Sequence, residues 1–490
     1  MNMKCSLIPI LLLSTACSST VRAPAEQLAA TSVQNQQTQQ SLLQALPPTT
    51  QAASLQQWWQ AQGDPALLQL ISAAQAVSPG IAQAWANIET ARAARVSSGA
   101  ALLPTLDATA NASRARSQPG MPAANQGQAG LQTSWEIDVF GAGRAGRDAS
   151  QASLDASRAM WHDARISVAA ETATQYVNAR QCLLTLALTR KDSESRQETA
   201  RVTALSAKAG VASQNQLVLA QAAAAEGNNR TLQQQAACEV ERKALVALTD
   251  LPETEVAALI QQAATQPAWQ PVGISSLPAS VLGQRPDVYA AEQEMTAAYA
   301  QISAAQAQRF PRLALTGFVG RAYAEGSSGT LSAPSWSLGP LSLTLPLFNG
   351  GRLAANVDAA EARYLASASN YQAKVRQAVR EVEEALVNLR SAEARQQDAA
   401  VAARSYAAHA AQTASRYQQG MASLFDLEDA RRSAFAAELN ESALQSERRR
   451  AWISLYRAAG GGWNTQAALP AAAATSATSA VSATSAQNSQ

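Results

Sequence analysis

Apolar and polar positions along this chain follow two different periods, and the periods succeed one another in the same order twice. From Trp135 to Phe140 the period is two: Trp135, Ile137 and Val139 fall on one side of an extended strand, Glu136 and Asp138 on the other. At Gly141-Ala142-Gly143-Arg144 the alternation stops and a very long Ala-rich helical pattern begins. The sequence does this again at Leu341–Leu347, where Leu341, Leu343, Leu345 and Leu347 oppose Ser342, Thr344 and Pro346, before Phe348-Asn349-Gly350-Gly351-Arg352 opens a second long helix. Phe348 follows Phe140 by 208 residues and Gly420 follows Gly210 by 210. Glu381, Val387, Asn388 and Arg390 likewise stand 210 after Glu171, Val177, Asn178 and Arg180. That period is too long for a solenoid and is the size of half a domain, so two strand-and-helix units are expected to build one body.

Laid out along the chain, the pattern predicts helices over 65–77 and 80–101, then strands over 104–116 and 129–140 separated by a turn-rich loop from Ser117 to Gln128. A long helix follows from Arg144 to about Ala209, and a return helix over 213–249. After an irregular stretch marked by Pro252, Pro267, Pro271 and Pro278, the plan recurs: helix 287–309, strands 311–324 and 335–348, long helix 352–418, return helix 422–459, stop at Gly460-Gly461-Gly462. A helix of about 66 residues spans roughly 100 Å, whereas each return helix is far shorter. Adding the pre-strand helix restores most of the difference, which predicts two short helices stacked end to end beside each long one.

Apolar-out and polar-in alternation is the pattern of a transmembrane β-barrel wall, and equally of a half-buried soluble sheet. The N-terminus weighs on that choice. Lys4, the apolar run Leu7–Leu13 and Ser14-Thr15-Ala16-Cys17 read as a secretory signal ending in a bacterial lipobox, with Cys17 as the lipidated first residue of the mature chain. An ordinary signal with an incidental cysteine is the other reading, since Ser14 stands where Leu is usual. Ser18, rather than Asp, suggests the outer membrane. Four strands cannot close a membrane barrel, which needs at least eight, so a barrel here requires several chains; three would supply twelve strands.

Composition narrows the chemistry. Net charge is +2 with 15% charged residues, which argues against an electrostatic nucleic-acid partner. The two histidines, His162 and His409, lie in helical stretches without a second His or Cys beside them, so no metal site is expected, and no nucleophile-and-base constellation suggests an enzyme or a cofactor. Gly141-Ala142-Gly143-Arg144-Ala145-Gly146 satisfies a dinucleotide-binding spacing, but its strand carries Glu136 and Asp138 in alternation and its helix is several times too long for that fold. Cys182 and Cys238 lie 28 residues before and after Gly210, level with one another in a hairpin turning there; a disulfide and two buried thiols are the alternatives.

These residues resemble the TolC/OprM-like outer-membrane efflux proteins, specifically the lipoprotein (NodT-type) branch that serves RND tripartite systems. The resemblance rests on Trp135–Arg144, on Arg285-Pro286-Asp287-Val288 with Ala291-Glu292, and on Phe310-Pro311-Arg312-Leu313. It continues through Leu345–Arg352, Arg416-Tyr417 with Gly420, and Leu455-Tyr456 with Gly460–Trp463, in order over residues 60–463. It implies an α+β membrane protein built from two internal repeats: a homotrimer whose 12-stranded barrel, four strands per chain, sits in the outer membrane and continues as a helical barrel through the periplasm. It also implies docking to a periplasmic adaptor and an inner-membrane RND-type pump. The chain then divides into a signal peptide (1–16), a lipidated N-terminus and tether (17–50), a first repeat (51–250), an equatorial connection (251–285), a second repeat (286–463) and a disordered tail (464–490).

Within that frame Gly210, Val211 and Ser213, with Gly420, Met421 and Ser423, form two helix-hairpin turns; the resemblance makes them the periplasmic tip that meets the adaptor. It places the closed gate at Tyr417, Asp426 and Asp429, with Arg431 and Arg432 as candidate partners of the carboxylates. Copy one has Gln216 where copy two has Asp426, so the gate is expected mainly on the second hairpin. The expected function is passive conduction of small molecules out of the cell. Type I protein secretion through the same fold, or a non-conducting trimeric coiled-coil spacer, are the alternatives; the spacer would need sustained heptads and no lipid-facing strands.

Overall fold

The computed structural model describes Trp59 and residues 63–116, 123–264, 285–326 and 329–463. The signal peptide, Cys17, the tether and the tail after Trp463 lie outside the described residues. The two halves present their elements in parallel order. Helices α1 (Pro65–Val77) and α2 (Pro79–Ala100) lead to strands β1 (Thr105–Ala115) and β2 (Ala124–Ile137), then helices α3 (Ala142–Lys208) and α4 (Gln214–Thr249). Helix α5 (Glu253–Ala264) precedes α6 (Pro286–Ala307), strands β3 (Arg312–Gly326) and β4 (Gly329–Thr344), and helices α7 (Arg352–Gln418) and α8 (Leu424–Ala458). The two long helices have the same length, 67 residues, or roughly 100 Å.

Short helices do lie end to end along the first long one. α2 meets the beginning of α3 through Ser98–Ser150 and an edge-on pair of Trp85 and Trp161, whereas α4 meets it farther on through Thr231–Thr189 and Gln175–Glu241. α8 packs on the other side of α3, through Gln181–Ser442 at 3.0 Å and Asn178–Arg450 at 3.1 Å, and also along α7. The hairpins therefore run side by side in the order α4, α3, α8, α7.

The four strands form one antiparallel sheet in the order β1-β2-β3-β4. Its register sorts the side chains into two unlike faces. Leu131 pairs with Val319 and Val319 with Trp336; Trp135 pairs with Leu315 and Leu315 with Leu341; Ile137, Leu313 and Leu343 form a third such rung. The opposite face carries Asp107, Asn111, Gln128, Gln132, Thr316 and Ser337. The apolar side chains are not covered: Trp336 is 79% exposed and Leu343 69%. Tyr323 and Arg321 follow on the same face above them.

The main core lies at mid-length of the long helices, where α1 docks. Leu67, Leu70 and Ile71 meet Tyr176 of α3, Leu386 and Leu389 of α7, and Trp452 and Leu455 of α8. Full burial of each such side chain contributes roughly 1.5–3 kcal/mol. Asp64 anchors this docking: it caps α1 by accepting the Leu67 N–H, and it accepts the Tyr176 hydroxyl at 2.6 Å and an Arg180 N–H at 3.2 Å.

Three features differ from the sequence expectation. β2 and β4 end at Ile137 and Thr344, so Val139 and Leu345–Phe348 fall beyond the sheet; Pro311 lacks an N–H, β3 starts only at Arg312, and the ladder ends with it. The hairpins extend further at the other end: β2 begins at 124, and β4 begins at 329 and passes through Pro334, which stands opposite Arg321. Residues 253–264, expected to be irregular, form α5, with Glu253 and Glu255 favouring its N-terminus and Val256 and Ile260 buried against Ala179 and Leu245.

Candidate functional site

The far ends of the two helix hairpins are built alike. Gly210 and Gly420 both take φ of 74°, a left-handed conformation costly for any residue with a Cβ. Each lets the chain reverse while the next N–H groups close the helix end: Val211 donates to Ser206 O and Met421 to Arg416 O. Ser213 and Ser423 then cap α4 and α8 through reciprocal capping boxes with Gln216 and Asp426. Between caps, Val211 and Met421 project from the tip, 82% and 58% exposed.

This geometry changes the roles expected of the acidic residues. Asp426 accepts both the backbone N–H and the hydroxyl of Ser423, at 2.9 and 2.7 Å, and those bonds hold its carboxyl below the usual range. Gln216, which the sequence set apart from Asp426, does the same capping work in the first hairpin. Asp429 is 80% exposed and lies 3.6 Å from Arg432, a loose surface pair. Arg431, expected as a partner of Asp426 or Asp429, instead reaches Glu428 at 3.0 Å. The reason is helical spacing: Arg431 is three residues from Glu428 but five from Asp426, on the other side of the helix. Glu428 also accepts the Thr199 hydroxyl of α3 at 2.8 Å, so Thr199, Glu428 and Arg431 tie the second hairpin to the first. Tyr417 lies half-buried in the last turn of α7.

Farther up, the first hairpin is cross-linked. Cys182 and Cys238, with Cα atoms 5.4 Å apart, are joined as a disulfide between α3 and α4. The corresponding positions of the second hairpin are Ala392 and Arg448; there Arg448 approaches Glu393 at 3.6 Å and Gln396 at 3.1 Å. Nearer the tip, α4 comes close enough to α3 that a Cβ on Gly227 would meet Arg196 Cδ at 3.0 Å.

At the opposite end, the Gly-rich turn after β2 is not an empty anion cradle. Asp138 accepts the N–H groups of Gly143 and Arg144 at 3.1 and 2.9 Å, so a carboxylate of the chain itself already occupies the N-terminus of α3. Partial burial works against its charge, but these N–H groups and the Arg144 guanidinium hold the carboxyl below its ordinary range.

The match that decides the family spans both halves. The model of the outer membrane efflux protein family fits residues 70–250 and 277–461. This chain belongs to that family. The outer membrane protein OprJ of Pseudomonas aeruginosa is 33% identical over 82% of this chain and 85% of its own length. The pyoverdine export outer membrane protein OpmQ of the same organism is 30% identical over 95% of this chain and 98% of its own. Among solved structures, a membrane protein of Pseudomonas aeruginosa superimposes with a TM-score of 0.76 at 30% identity, covering 83% of this chain and 93% of the other. Members of this family are channel and transport proteins, mostly helical with a small sheet.

The efflux-protein signature Arg285-Pro286-Asp287 acquires a physical role in this fold. Arg285 grips Asp287 with two hydrogen bonds of 3.0 and 2.9 Å, donates to Glu381 of α7 at 2.8 Å and to the Ala458 carbonyl at the end of α8 at 3.0 Å. One guanidinium thus joins α6, α7 and α8. Phe140 and Phe310, from two other signatures, stack at 5.0 Å where the sheet meets the helices. Among the described residues no helix is long and apolar enough to cross a membrane.

Proposed function

We propose that this efflux-family protein is the outer-membrane channel of a tripartite efflux system, conducting small molecules passively from a periplasmic adaptor and an inner-membrane RND-type pump to the exterior. The observation that carries the reading is the sheet: one face apolar and bare, the other polar, both edges unpaired among the described residues, and 67-residue helices leading away from one end. A bare apolar face of this kind has a place in lipid, and unpaired edges have none there. Closure onto copies of itself resolves both demands. Three chains give twelve strands, and the free flanks of α4 and α7 meet in the same way below them to complete a helical barrel. The non-conducting spacer has no use for such a sheet. Neither does a coiled coil.

Cys17 supplies a lipid anchor. The turns at Gly210, Val211 and Ser213 and at Gly420, Met421 and Ser423 form the end that meets the adaptor, offering exposed Val211 and Met421. The gate sits just above. Threefold symmetry brings Asp429, with Asp426 and Tyr417, around the axis, and their repulsion is relieved by Arg432. The link from Thr199 to Glu428 and Arg431 holds the second hairpin against the first, and opening requires it to part. Small molecules are the cargo class this reading favours over secreted protein, in keeping with the pyoverdine export that the name of OpmQ states. Bulky charged replacements at Val211 and Met421 test the tip: they abolish efflux while trimers persist, whereas loss of the trimer would reduce these turns to a structural role.

A further inference from the structure

The polar face of the sheet contains one aromatic residue that the polar pattern does not explain. Phe318 stands in the rung between Gln132 and Ser337, and its ring leans along the sheet toward the next rung on that face, the cross-strand pair Gly130 and Gly320. A Cβ on Gly130 would lie 2.7 Å from Phe318 Cζ, and one on Gly320 2.8 Å. The two strands also approach so closely there that the same Cβ atoms would meet the carbonyls of Val319 and Ala129 at 2.3 and 2.2 Å. Both positions thus require glycine, and the phenyl ring occupies the space their side chains leave. Phe318 is nevertheless only half-buried. One side of the ring covers bare backbone, and the remainder faces whatever fills the interior.

This inference rests on the reading of the sheet as one third of a barrel whose polar face lines the duct. Twelve strands spaced about 4.8 Å apart and tilted by about 40° enclose a backbone ring about 24 Å across. A phenyl that leans along that wall toward the glycine pair leaves the lumen open, so it contacts passing solutes instead of closing the path. We propose that Phe318 is a stacking platform on the inner wall, repeated three times at one level, which retains planar aromatic solutes over non-planar solutes of equal charge. A ring whose tip already rests over the glycine pair has less side-chain freedom to lose on stacking, and offset aromatic contacts favour flat partners. Glycine cover alone would need any apolar side chain of this length; discrimination by planarity needs the ring.

The test is block of single-channel current in planar bilayers, using full-length trimers in the Asp426→Asn/Asp429→Asn form and probes added from the barrel side. Ethidium serves as the planar cation and tetraethylammonium as the non-planar one. Phe318→Leu is expected to weaken ethidium block by about threefold to tenfold while tetraethylammonium block stays within about twofold. Phe318→Trp, which keeps the cover and enlarges the stacking face, is expected to hold or tighten ethidium block, and Trp336→Leu on the other face to change neither. Equal ethidium block in wild-type Phe318 and Phe318→Leu channels overturns the proposal. Should Phe318→Leu fail to form trimers, a Phe318→Trp channel with weakened ethidium block would overturn it by itself. Absence of any conductance from confirmed trimers is a different result, which removes the channel reading on which this inference stands.

Discussion

Replacing Arg285 with alanine removes four hydrogen bonds from a site that is 6% exposed. Asp287 and Glu381 then keep their charges without the guanidinium between them, and the Ala458 carbonyl, one of the unpaired acceptors at a helix end, loses its donor. Removing one member of a buried ion pair costs about 3–5 kcal/mol, most of it from the stranded charge. For a chain of this size each kcal/mol moves the thermal midpoint by about 1–2 °C, so Arg285→Ala is expected to melt about 3–10 °C below wild type when helical circular dichroism is followed at pH 7.5 and a fixed scan rate. Arg285→Lys keeps the charge but cannot serve two carboxylates and a carbonyl in one plane, and should recover less than half of the loss. The site also fixes a pH dependence. Burial raises the Asp287 pKa, but the hydrogen bonds and charge of Arg285 outweigh it and set the folded value below the ordinary one. The stability from Asp287 is therefore full above about pH 4 and is lost as the pH falls through the lower folded value. An Arg285→Ala protein melting within about 1 °C of wild type would refute the view that this residue joins α6, α7 and α8.

Other consequences can be checked separately. Burial, aided by the Arg165 charge, pushes His162 down to about 4, so the folded chain holds it neutral; stability present above pH 6.5 is lost as the pH falls from there toward 4, by roughly 1–3 kcal/mol after allowance for partial exposure, and His162→Gln should flatten the slope of the melting temperature between pH 7 and 5. Leu341→Arg, on the bare face, is expected to deplete the protein from the outer-membrane fraction, at about 2–4 kcal/mol for a charge facing lipid, whereas Gln132→Arg on the polar face should not; equal behaviour would contradict the two-faced sheet. Thiol titration under denaturing, non-reducing conditions should find Cys182 and Cys238 unreactive. Closing a loop of 56 residues gives a cross-link worth about 4 kcal/mol in the chain-entropy account, so a reductant should lower the melting temperature of wild type but not of Cys182→Ser/Cys238→Ser.

How much of this was written in the sequence depends on how local each feature is. The two long helices and four strands were legible because period and length are properties of neighbouring residues. Strand ends were not: where β4 stops depends on where β3 starts, and that is set by Pro311 in a different segment. α5 was obscured by the prolines around it, although Glu253, Glu255 and the Val256, Leu259, Ile260 spacing were the available signal. At the tip, Ser213 with Gln216 and Ser423 with Asp426 share one capping-box spacing, and that spacing could have warned that Asp426 had structural work. The bond from Thr199 to Glu428 spans 229 residues of sequence and had no local signature. Phe318 was equally hidden, because its meaning comes from the glycine pair across a strand boundary.

A membrane pore closed at the hairpin tips is what planar-bilayer conductance of purified trimers measures directly. Wild type is compared with Asp426→Asn/Asp429→Asn, which removes the carboxylate charges while leaving an acceptor to cap α8. Conductance is expected to be low in wild type and to rise sharply in the variant. Conductance that is present but unchanged would keep the duct and move the gate away from these residues; no conductance in either, from confirmed trimers, would contradict the pore itself.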